Sequence, residues 1–565
     1  MALYEKYVGR SRDDFATLED LMRNYKVTAP EHFNYGFDVV DELASQTPDA
    51  LAMLWVGNDG EEKRFTFSDI SHLSNQAANA FASLGIRKGD AVMLVLKRGY
   101  QFWYALVGLH KLGAVAVPAT HLLMAKDYVY RCNAGHIKMM LCTGDGDVTD
   151  HVDEALPSCE TVELRAVTKH KQAEGWLDFD ALVEAQSDVF ARPTGDQQTQ
   201  NHDRMLMFFS SGTTGYPKMV WHDFTYPLGH ILTGCFWHRV QEGGLHFTIS
   251  DTGWGKALWG KIYGQWLGGS AVFVYDFERF HAPDILQKIQ DYRVTTFCAP
   301  PTMYRYMIKE DLTKYDLSAL THCTTAGEAL NPEVYSQWLK QTGMKIFEGF
   351  GQTETTLCCW TVFPWVQPRL GSMGLPAPGW RLCIVDPEGN ECAPGVTGEI
   401  CVRTDEAGGG VPFGLFGGYY LDEEMTNEHW HDGLYHTGDT AYKDELGFLW
   451  YVGRVDDVIK SSGYRIGPFE VESAIMEHPA VLECAVTGVP DPDRGFVVKA
   501  TIVLAKGYEG TPALTKEIQT HVKHVTAPYK YPRVVEYVQE LPKTISGKIR
   551  RVDIRNRDME KSRAK

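Results

Sequence analysis

Apolar residues recur along this chain in two rhythms. Short unbroken runs such as Met205-Leu206-Met207-Phe208-Phe209 and Ala91-Val92-Met93-Leu94-Val95-Leu96 read as buried strands. Between them lie stretches with the three-to-four-residue apolar spacing of amphipathic helices. One series is clear: strand 269–275, helix 283–292 opened by Pro283, strand 294–299, a helix after Pro301-Thr302, strand 320–325, helix 332–341 and strand 345–349. From about residue 37 to residue 350 this alternation predicts parallel sheets covered by helices, an α/β arrangement. Ligands of such sheets sit beyond the carboxyl ends of the strands, so the loops after Phe209, Ala299, Thr325 and Gly349 should face one cleft.

Between about 370 and 450 the texture changes to short strands with turns at Pro387-Glu388-Gly389-Asn390 and Pro394-Gly395, as in a small β-barrel or β-rich subdomain. Gly408-Gly409-Gly410 marks a flexible surface loop there. The tail after Gly453-Arg454 predicts helix 468–477, strands 481–489 and 497–504, helix 513–525 and strand 533–539, a small α+β unit with its own core. At 565 residues the chain exceeds the size of a single core. The expected division is an N-terminal domain over 1–453, a hinge over 454–460 and a C-terminal domain over 461–565.

Composition narrows the partners. A formal charge of −18 argues against nucleic acid or an anionic membrane, and requires a local cationic site for any polyanionic ligand. No apolar run approaches the length of a membrane span, and the first twenty residues carry charges without a secretory apolar core. The twelve cysteines are scattered without a Cys-x-x-Cys pair. They read as reduced and mostly buried rather than as a disulfide or zinc framework, which points to the cytoplasm. The sequence is silent on oligomeric state and leaves a homo-oligomer open.

The chemistry concentrates in a few loops. After the strand at 205–209 come Ser210-Ser211-Gly212-Thr213-Thr214-Gly215-Tyr216-Pro217-Lys218: four hydroxyls, two glycines and a lysine, a loop suited to phosphate. No Gly-Lys-Ser/Thr closes it, so the common P-loop fold is not implied. Gly349-Phe350-Gly351-Gln352-Thr353-Glu354-Thr355 places a carboxylate at the cleft, where it could hold Mg²⁺ beside a triphosphate. Tyr435-His436-Thr437-Gly438-Asp439 puts Asp439 after a glycine turn, able to accept both ribose hydroxyls. Arg454 to Lys460 has the charges and apolar backing of a hinge, and Leu541-Pro542-Lys543-Thr544-Ile545-Ser546-Gly547-Lys548 presents Lys548 on a held loop.

Together and in this order, with Thr324-Thr325-Ala326-Gly327-Glu328, these motifs resemble the adenylate-forming superfamily of acyl-CoA synthetases, luciferases and adenylation domains. The likeness is greatest to medium-chain acyl-CoA synthetases, through 33–40 and Ser250-Asp251-Thr252-Gly253-Trp254. The resemblance implies a large α/β domain with a β-rich subdomain, and a small mobile α+β C-terminal domain. It also implies a two-step reaction using ATP, Mg²⁺ and coenzyme A. Ser210, Ser211, Gly212, Thr213, Thr214, Gly215 and Lys218 would grip the phosphates, with Mg²⁺ on Glu354 and Thr213. Gly327, Glu328, Glu348, Gly349, Phe350 and Thr353 would surround the nucleotide, with Asp439 and Arg454 on the ribose. Arg465 would approach the phosphate and Lys548 would bridge the attacking carboxylate and the α-phosphate. Asp456 would be the pivot, and Gly463 and Tyr464 would line the thiol tunnel.

The acyl pocket implied by the resemblance involves Trp237, Trp254, Lys256, Trp259, Cys298, Ala326 and Gly351. Acetate-specific relatives carry a tryptophan where Gly351 stands, so glycine predicts room beyond acetate. Lys256 is a charge where an apolar residue is expected, and must point to solvent, be paired or be chemically altered. If it blocks a straight tunnel, short or branched acids such as 2-methylpropanoate or 2-methylbutanoate are expected. Aryl-acid ligation and a luciferase-like or other CoA-independent adenylation remain the alternatives.

Overall fold

Helix Ala282–Asp291 illustrates how the apolar spacing becomes a layer: Ala282, Ile285, Leu286 and Ile289 fall on one face, and all are buried. Each large apolar side chain so buried is worth about 1.5–3 kcal/mol. Helix Pro332–Thr342 begins at Asn331, whose side chain accepts the Glu333 N–H, and ends at Gly343 in a left-handed conformation. The computed structural model describes residues 2–210, 217–405, 410–461, 464–491, 494–544 and 548–563.

Three sheets organise the chain. The first runs Leu177–Asp178, Leu164–Val167, Ile137–Cys142, Ala91–Val95, Val115–Pro118, Arg204–Ser210, Lys218–Asp223. It is parallel except for its last pair, an antiparallel hairpin that ends with Ser210 opposite Lys218. The phosphate-type loop thus joins two strands rather than a strand and a helix. The second sheet contains the predicted series: Ile346–Phe350, His322–Ala326, Thr296–Cys298, Leu245–Thr248, Ala271–Asp276 and Leu51–Gly57 are parallel neighbours, with Glu62–Thr66 antiparallel at the edge. Helix Gln101–Leu112 lies within the core that draws on strands of both sheets, and all its residues are buried, as expected of a helix covered on every side.

The β-rich region is not a detached barrel. Leu382–Val385, Gly398–Arg403, Leu434–Lys443 and Leu449–Arg454 connect through Ser372–Pro376 and Cys359–Trp360 to Ile346–Phe350, continuing the second sheet. Gly408 and Gly409 lie outside the described residues. The third sheet holds Tyr464–Ile466, Ile459–Ser461, Gly495–Leu504 and Val481–Asp491, with Val534–Val538 parallel to Gly495–Leu504. Helices Pro468–Met476 and Pro512–Val525 bury its core.

Two features escaped the periodicity. Leu232–Trp237 is a π-helical turn, and a Cβ on Gly234 would lie 2.3 Å from the backbone of Gly264. That close approach fixes the turn presenting Trp237. Helix Arg551–Arg563 is held by ion pairs, Arg551 on Glu472 at 2.7 Å and Asp558 on Lys499 at 2.7 Å. No described helix is long and apolar enough to cross a membrane.

Candidate active site

The strand order of the second sheet reverses at Leu245–Thr248: the next strand, Ala271–Asp276, lies on one side and Thr296–Cys298 on the other. Such a switch point opens a crevice at the carboxyl ends of the strands. The ends of these strands and the segments that follow them carry Lys256, on helix Gly255–Gly260, Cys298, Gly327, Glu328 and Glu354.

On the ribose side, Asp439 is buried at 6% exposure. Its Oδ2 accepts Gln352 Nε2 at 2.5 Å and its Oδ1 accepts Tyr451 Oη at 3.2 Å, while Arg454 stands 3.7 Å away. Burial lifts the Asp439 carboxyl above the usual range, and Arg454, Gln352, Tyr451 and Lys548 pull against it. Gln352 is itself oriented by Tyr435 Oη at 3.0 Å and by the Thr437 carbonyl at 2.8 Å. Sequence reasoning gave Gln352 no role, although it sits inside the glycine-rich motif.

On the phosphate side, Ser211, Gly212, Thr213, Thr214 and Gly215 lie outside the described residues. Ser210 ends its strand, and Lys218 opens the next. Lys218 Nζ donates to His429 Nε2 at 3.0 Å and lies 5.1 Å from the Tyr419 ring centroid. His429 Nδ1 donates to the Met425 carbonyl at 3.1 Å, which leaves Nε2 as an acceptor. Burial lowers the pKa of Lys218, opposed by Glu354, and burial followed by the Lys218 charge lowers that of His429. Tyr419 Oη donates to Glu354 Oε1 at 3.1 Å. The Glu354 carboxyl is raised by burial, with Tyr419 and Lys218 among the opposing influences. A buried carboxylate in this state suits a hard cation, which satisfies its charge and prefers oxygen ligands. Tyr419 and His429 were missed by sequence reasoning because neither belongs to a local pattern.

The Glu348 carboxyl accepts the Leu330 N–H at 3.1 Å, and burial pushes its pKa up to about 8. It thereby braces the loop carrying Gly327 and Glu328. Glu328 accepts the Thr302 hydroxyl at 2.8 Å. The Thr353 carbonyl accepts His222 Nε2–H at 2.7 Å, and the Phe350 carbonyl accepts the Cys358 N–H at 3.0 Å.

On the expected acyl side, a Cβ on Gly351 would lie 2.4 Å from both the Trp259 ring and the Thr356 carbonyl oxygen, and one on Gly349 would lie 2.6 Å from the Trp237 ring. The glycine at 351 thus makes room for the Trp259 indole. Trp254 directly precedes helix Gly255–Gly260, which carries Lys256 and Trp259. Lys256 Nζ donates to the Ala326 carbonyl at 2.7 Å. Burial lowers its pKa; Cys298 and Glu328 oppose this and Lys548 adds to it.

Lys548 is exposed; its N–H donates to Thr544 Oγ1 at 3.1 Å and its carbonyl accepts the Thr544 N–H at 2.7 Å. Its charge is among the weaker influences that lower the Asp439 and Lys256 pKa values. Near the expected pivot, the Val455 N–H donates to the Gly438 carbonyl at 2.9 Å and the Asp457 N–H to the Arg454 carbonyl at 3.0 Å. Asp456 lies 3.9 Å from Arg454 and 3.8 Å from Arg555, while Asp457 pairs closely with Arg555. The Tyr464 ring stacks on Tyr529 at 4.1 Å. Gly463 and the Arg465 side chain lie outside the described set.

Known proteins share this architecture. The AMP-binding enzyme family matches residues 40–420, and the AMP-binding enzyme C-terminal domain matches 470–548. The chain is 39% identical over 567 residues to acyl-coenzyme A synthetase ACSM3, mitochondrial, of Homo sapiens, covering 99% of this chain and 95% of that one. It is 41% identical over 542 residues to ACSM5, mitochondrial, of Rattus norvegicus, covering 94% and 92%. Among solved structures, the anthranilate CoA ligase AuaEII with anthranoyl-AMP superimposes with a TM-score of 0.85 at 28% identity, covering 94% of this chain and 98% of that one. An acyl-CoA synthetase of Brucella canis gives 0.73 at 30%, covering 97% and 99%. The mitochondrial relatives overturn the cytoplasmic expectation. The free, mostly buried thiols require only reducing surroundings, which do not single out the cytosol. The chain belongs to the AMP-binding enzyme family, on its acyl-CoA synthetase branch.

Proposed function

We propose that this acyl-CoA synthetase activates short or medium, preferably branched, carboxylic acids. The acid's carboxylate oxygen attacks the α-phosphorus of ATP, the bond to the β-phosphate breaks, and acyl-AMP and pyrophosphate result. The coenzyme A thiol, losing its proton, then attacks the acyl carbonyl carbon and AMP departs. The observation that carries this reading is the buried Asp439 carboxylate, held by Gln352 at 2.5 Å and Tyr451 at 3.2 Å with Arg454 3.7 Å away, in a cleft that also carries Glu354. Lys548, exposed and farther along the chain, would bring its cation to where carboxylate and α-phosphate meet. Stabilising charge there is the principal catalytic task in such a displacement.

Asp439 and Arg454 would hold the ribose, while Lys218 and the loop before it would hold the departing pyrophosphate. Glu354, with Thr213, would hold Mg²⁺, which when bound supplies neutralisation of the triphosphate. For the second step the unit 461–565 would rotate about Asp456 within a hinge over 454–460, leaving 1–453 as the frame. That motion would withdraw Lys548 and bring Arg465, Gly463 and Tyr464 toward the cleft. A pivot of one loop residue suits such domain closure.

The Trp259 indole against Gly351 and the Lys256 ammonium on Ala326 support a shallow pocket with one polar wall. A long linear chain or a planar aromatic ring would meet that wall, so four- and five-carbon branched acids fit best. AMP release measured with and without coenzyme A, across linear, branched and aromatic acids, tests the proposal. The highest turnover should fall on 2-methylpropanoate or 2-methylbutanoate and should depend on coenzyme A. Octanoate or benzoate as the best acid would overturn the substrate choice, and full product formation without coenzyme A would overturn the class.

A further inference from the structure

Away from the reaction centre, paired strands bring three chemically different donors together. Cys401 lies directly across from His436 in the pairing of Gly398–Arg403 with Leu434–Lys443. Glu399 is two positions from Cys401 on the same strand. The Glu399, Cys401 and His436 donor atoms all lie within 4.8 Å of one another. No other such group of three occurs among the described residues.

The geometry is unusual because two groups converge on one ring nitrogen. Glu399 Oε2 is 3.0 Å from His436 Nδ1, and Cys401 Sγ is 3.4 Å from the same atom. A neutral imidazole nitrogen bears either a proton or a lone pair. With a proton it serves Glu399 and leaves the thiol without a good acceptor. With a lone pair it accepts from the thiol and faces an anionic oxygen. One cation in place of that proton would satisfy all three.

We propose that Glu399, Cys401 and His436 form a binding site for a borderline-soft divalent cation of the zinc type. A tetrahedral zinc has nitrogen and oxygen ligands at about 2.0–2.2 Å and sulfur at about 2.3 Å, which places neighbouring ligand atoms roughly 3.4–3.6 Å apart. The Glu399–His436 spacing of 3.0 Å needs to open by a few tenths of an ångström and the Cys401–His436 spacing of 3.4 Å already fits, while the Glu399 oxygen and the Cys401 sulfur start within 4.8 Å of each other. A mixed nitrogen, sulfur and oxygen set favours zinc over magnesium or calcium. The His436 and Glu399 side chains are 18% and 25% exposed, so an ion has an entry path and its fourth position can take water. The thiol proton leaves on binding, so affinity strengthens as pH rises. Cys383, opposite Cys401 on the next strand, places a second thiol beside the site. The other Glu399 oxygen accepts the Gly438 N–H at 2.8 Å, so a bound ion would brace the turn leading to Asp439.

The test uses the full chain, stripped with a chelator and desalted. Zinc alone is titrated in competition with a chromogenic chelator, cobalt(II) alone is followed by absorption, and melting is measured with and without zinc. The expected result is one tightly bound zinc per chain, a thiolate-to-cobalt charge-transfer band and a zinc-dependent rise in Tm. C401S should lose the band, lose the Tm rise and bind zinc at least about tenfold more weakly. E399Q keeps the side-chain shape and should weaken zinc binding in the same direction, which decides the matter if C401S does not fold. Zinc binding in wild type no tighter than in these variants, or a cobalt spectrum without a thiolate band, would overturn the site.

Discussion

Two lysines flank the cleft and are held in opposite ways. Lys218 stands at the start of a strand, half-buried, tied to His429 and lying over the Tyr419 ring. Lys548 is exposed, held through its backbone to Thr544. Ordering a lysine side chain costs about 1.5–2 kcal/mol. For Lys218 that cost falls on folding, whereas under the proposed cycle it would fall for Lys548 each time the cation met its target. One would then be a fixture of the frame and the other would leave, which would let a single cleft serve two chemical steps.

Substitutions at four positions probe this contrast, beginning with the largest effect. Lys548→Ala should cut acyl-AMP formation about a thousandfold, while thioester formation from supplied acyl-AMP stays within about twofold. Single-turnover assays of each half-reaction give the answer, and equal losses would erase the distinction between the lysines. Lys218→Ala should cost about a hundredfold in kcat/KM for ATP, carried more by KM than the Lys548 effect is. Steady-state kinetics with ATP varied separates the two patterns.

Trp259→Ala asks whether the fixed frame also limits the acid. The ratio of octanoate to 2-methylbutanoate turnover should rise about thirtyfold, and an unchanged ratio would remove Trp259 from the pocket wall. His429→Ala should be the mildest, raising KM for ATP about fivefold near neutral pH, about 1 kcal/mol and the order of one ordinary hydrogen bond. His429 is neutral above its lowered pKa and accepts from Lys218 there. As pH falls through that value, two cations would stand 3.0 Å apart. Wild-type KM for ATP should therefore climb in acid while that of His429→Ala stays flatter, and His429→Gln, which retains an acceptor, should recover part of the neutral-pH loss. Parallel pH profiles for wild type and His429→Ala would free Lys218 from this anchor.

The sequence reading reached the elements whose signals are local. Helix Pro332–Thr342, strand His322–Ala326 and the tail from Pro468 to Val538 follow the expected order to within a residue or two at most boundaries. Asp439, Arg454 and Lys548 stand out because each directly follows a glycine in a short motif. Contacts between distant residues were not legible. The packing of Trp259 on Gly351 joins a helix to a loop far along the chain, and residue spacing carries no sign of it. Helix Arg551–Arg563 went unread because ion pairs to Glu472, Asp457 and Lys499 hold it, and apolar periodicity does not register charges. The cysteines gave no spacing signal for a metal because Cys401 and His436 meet only through strand register.

The two backbone hydrogen bonds bracketing Asp456 carry a consequence for observation in real time. The Val455 and Asp457 amides are tied to Gly438 and Arg454 at 2.9 and 3.0 Å. A swing about the residue between them must release one or both. Deuterium uptake at these amides would then count openings of the joint, while strands in the two cores on either side exchange on their own slower clock. Supplying acyl-AMP or coenzyme A would change that count without touching the amides, turning a few atoms of main chain into a tachometer for the catalytic cycle.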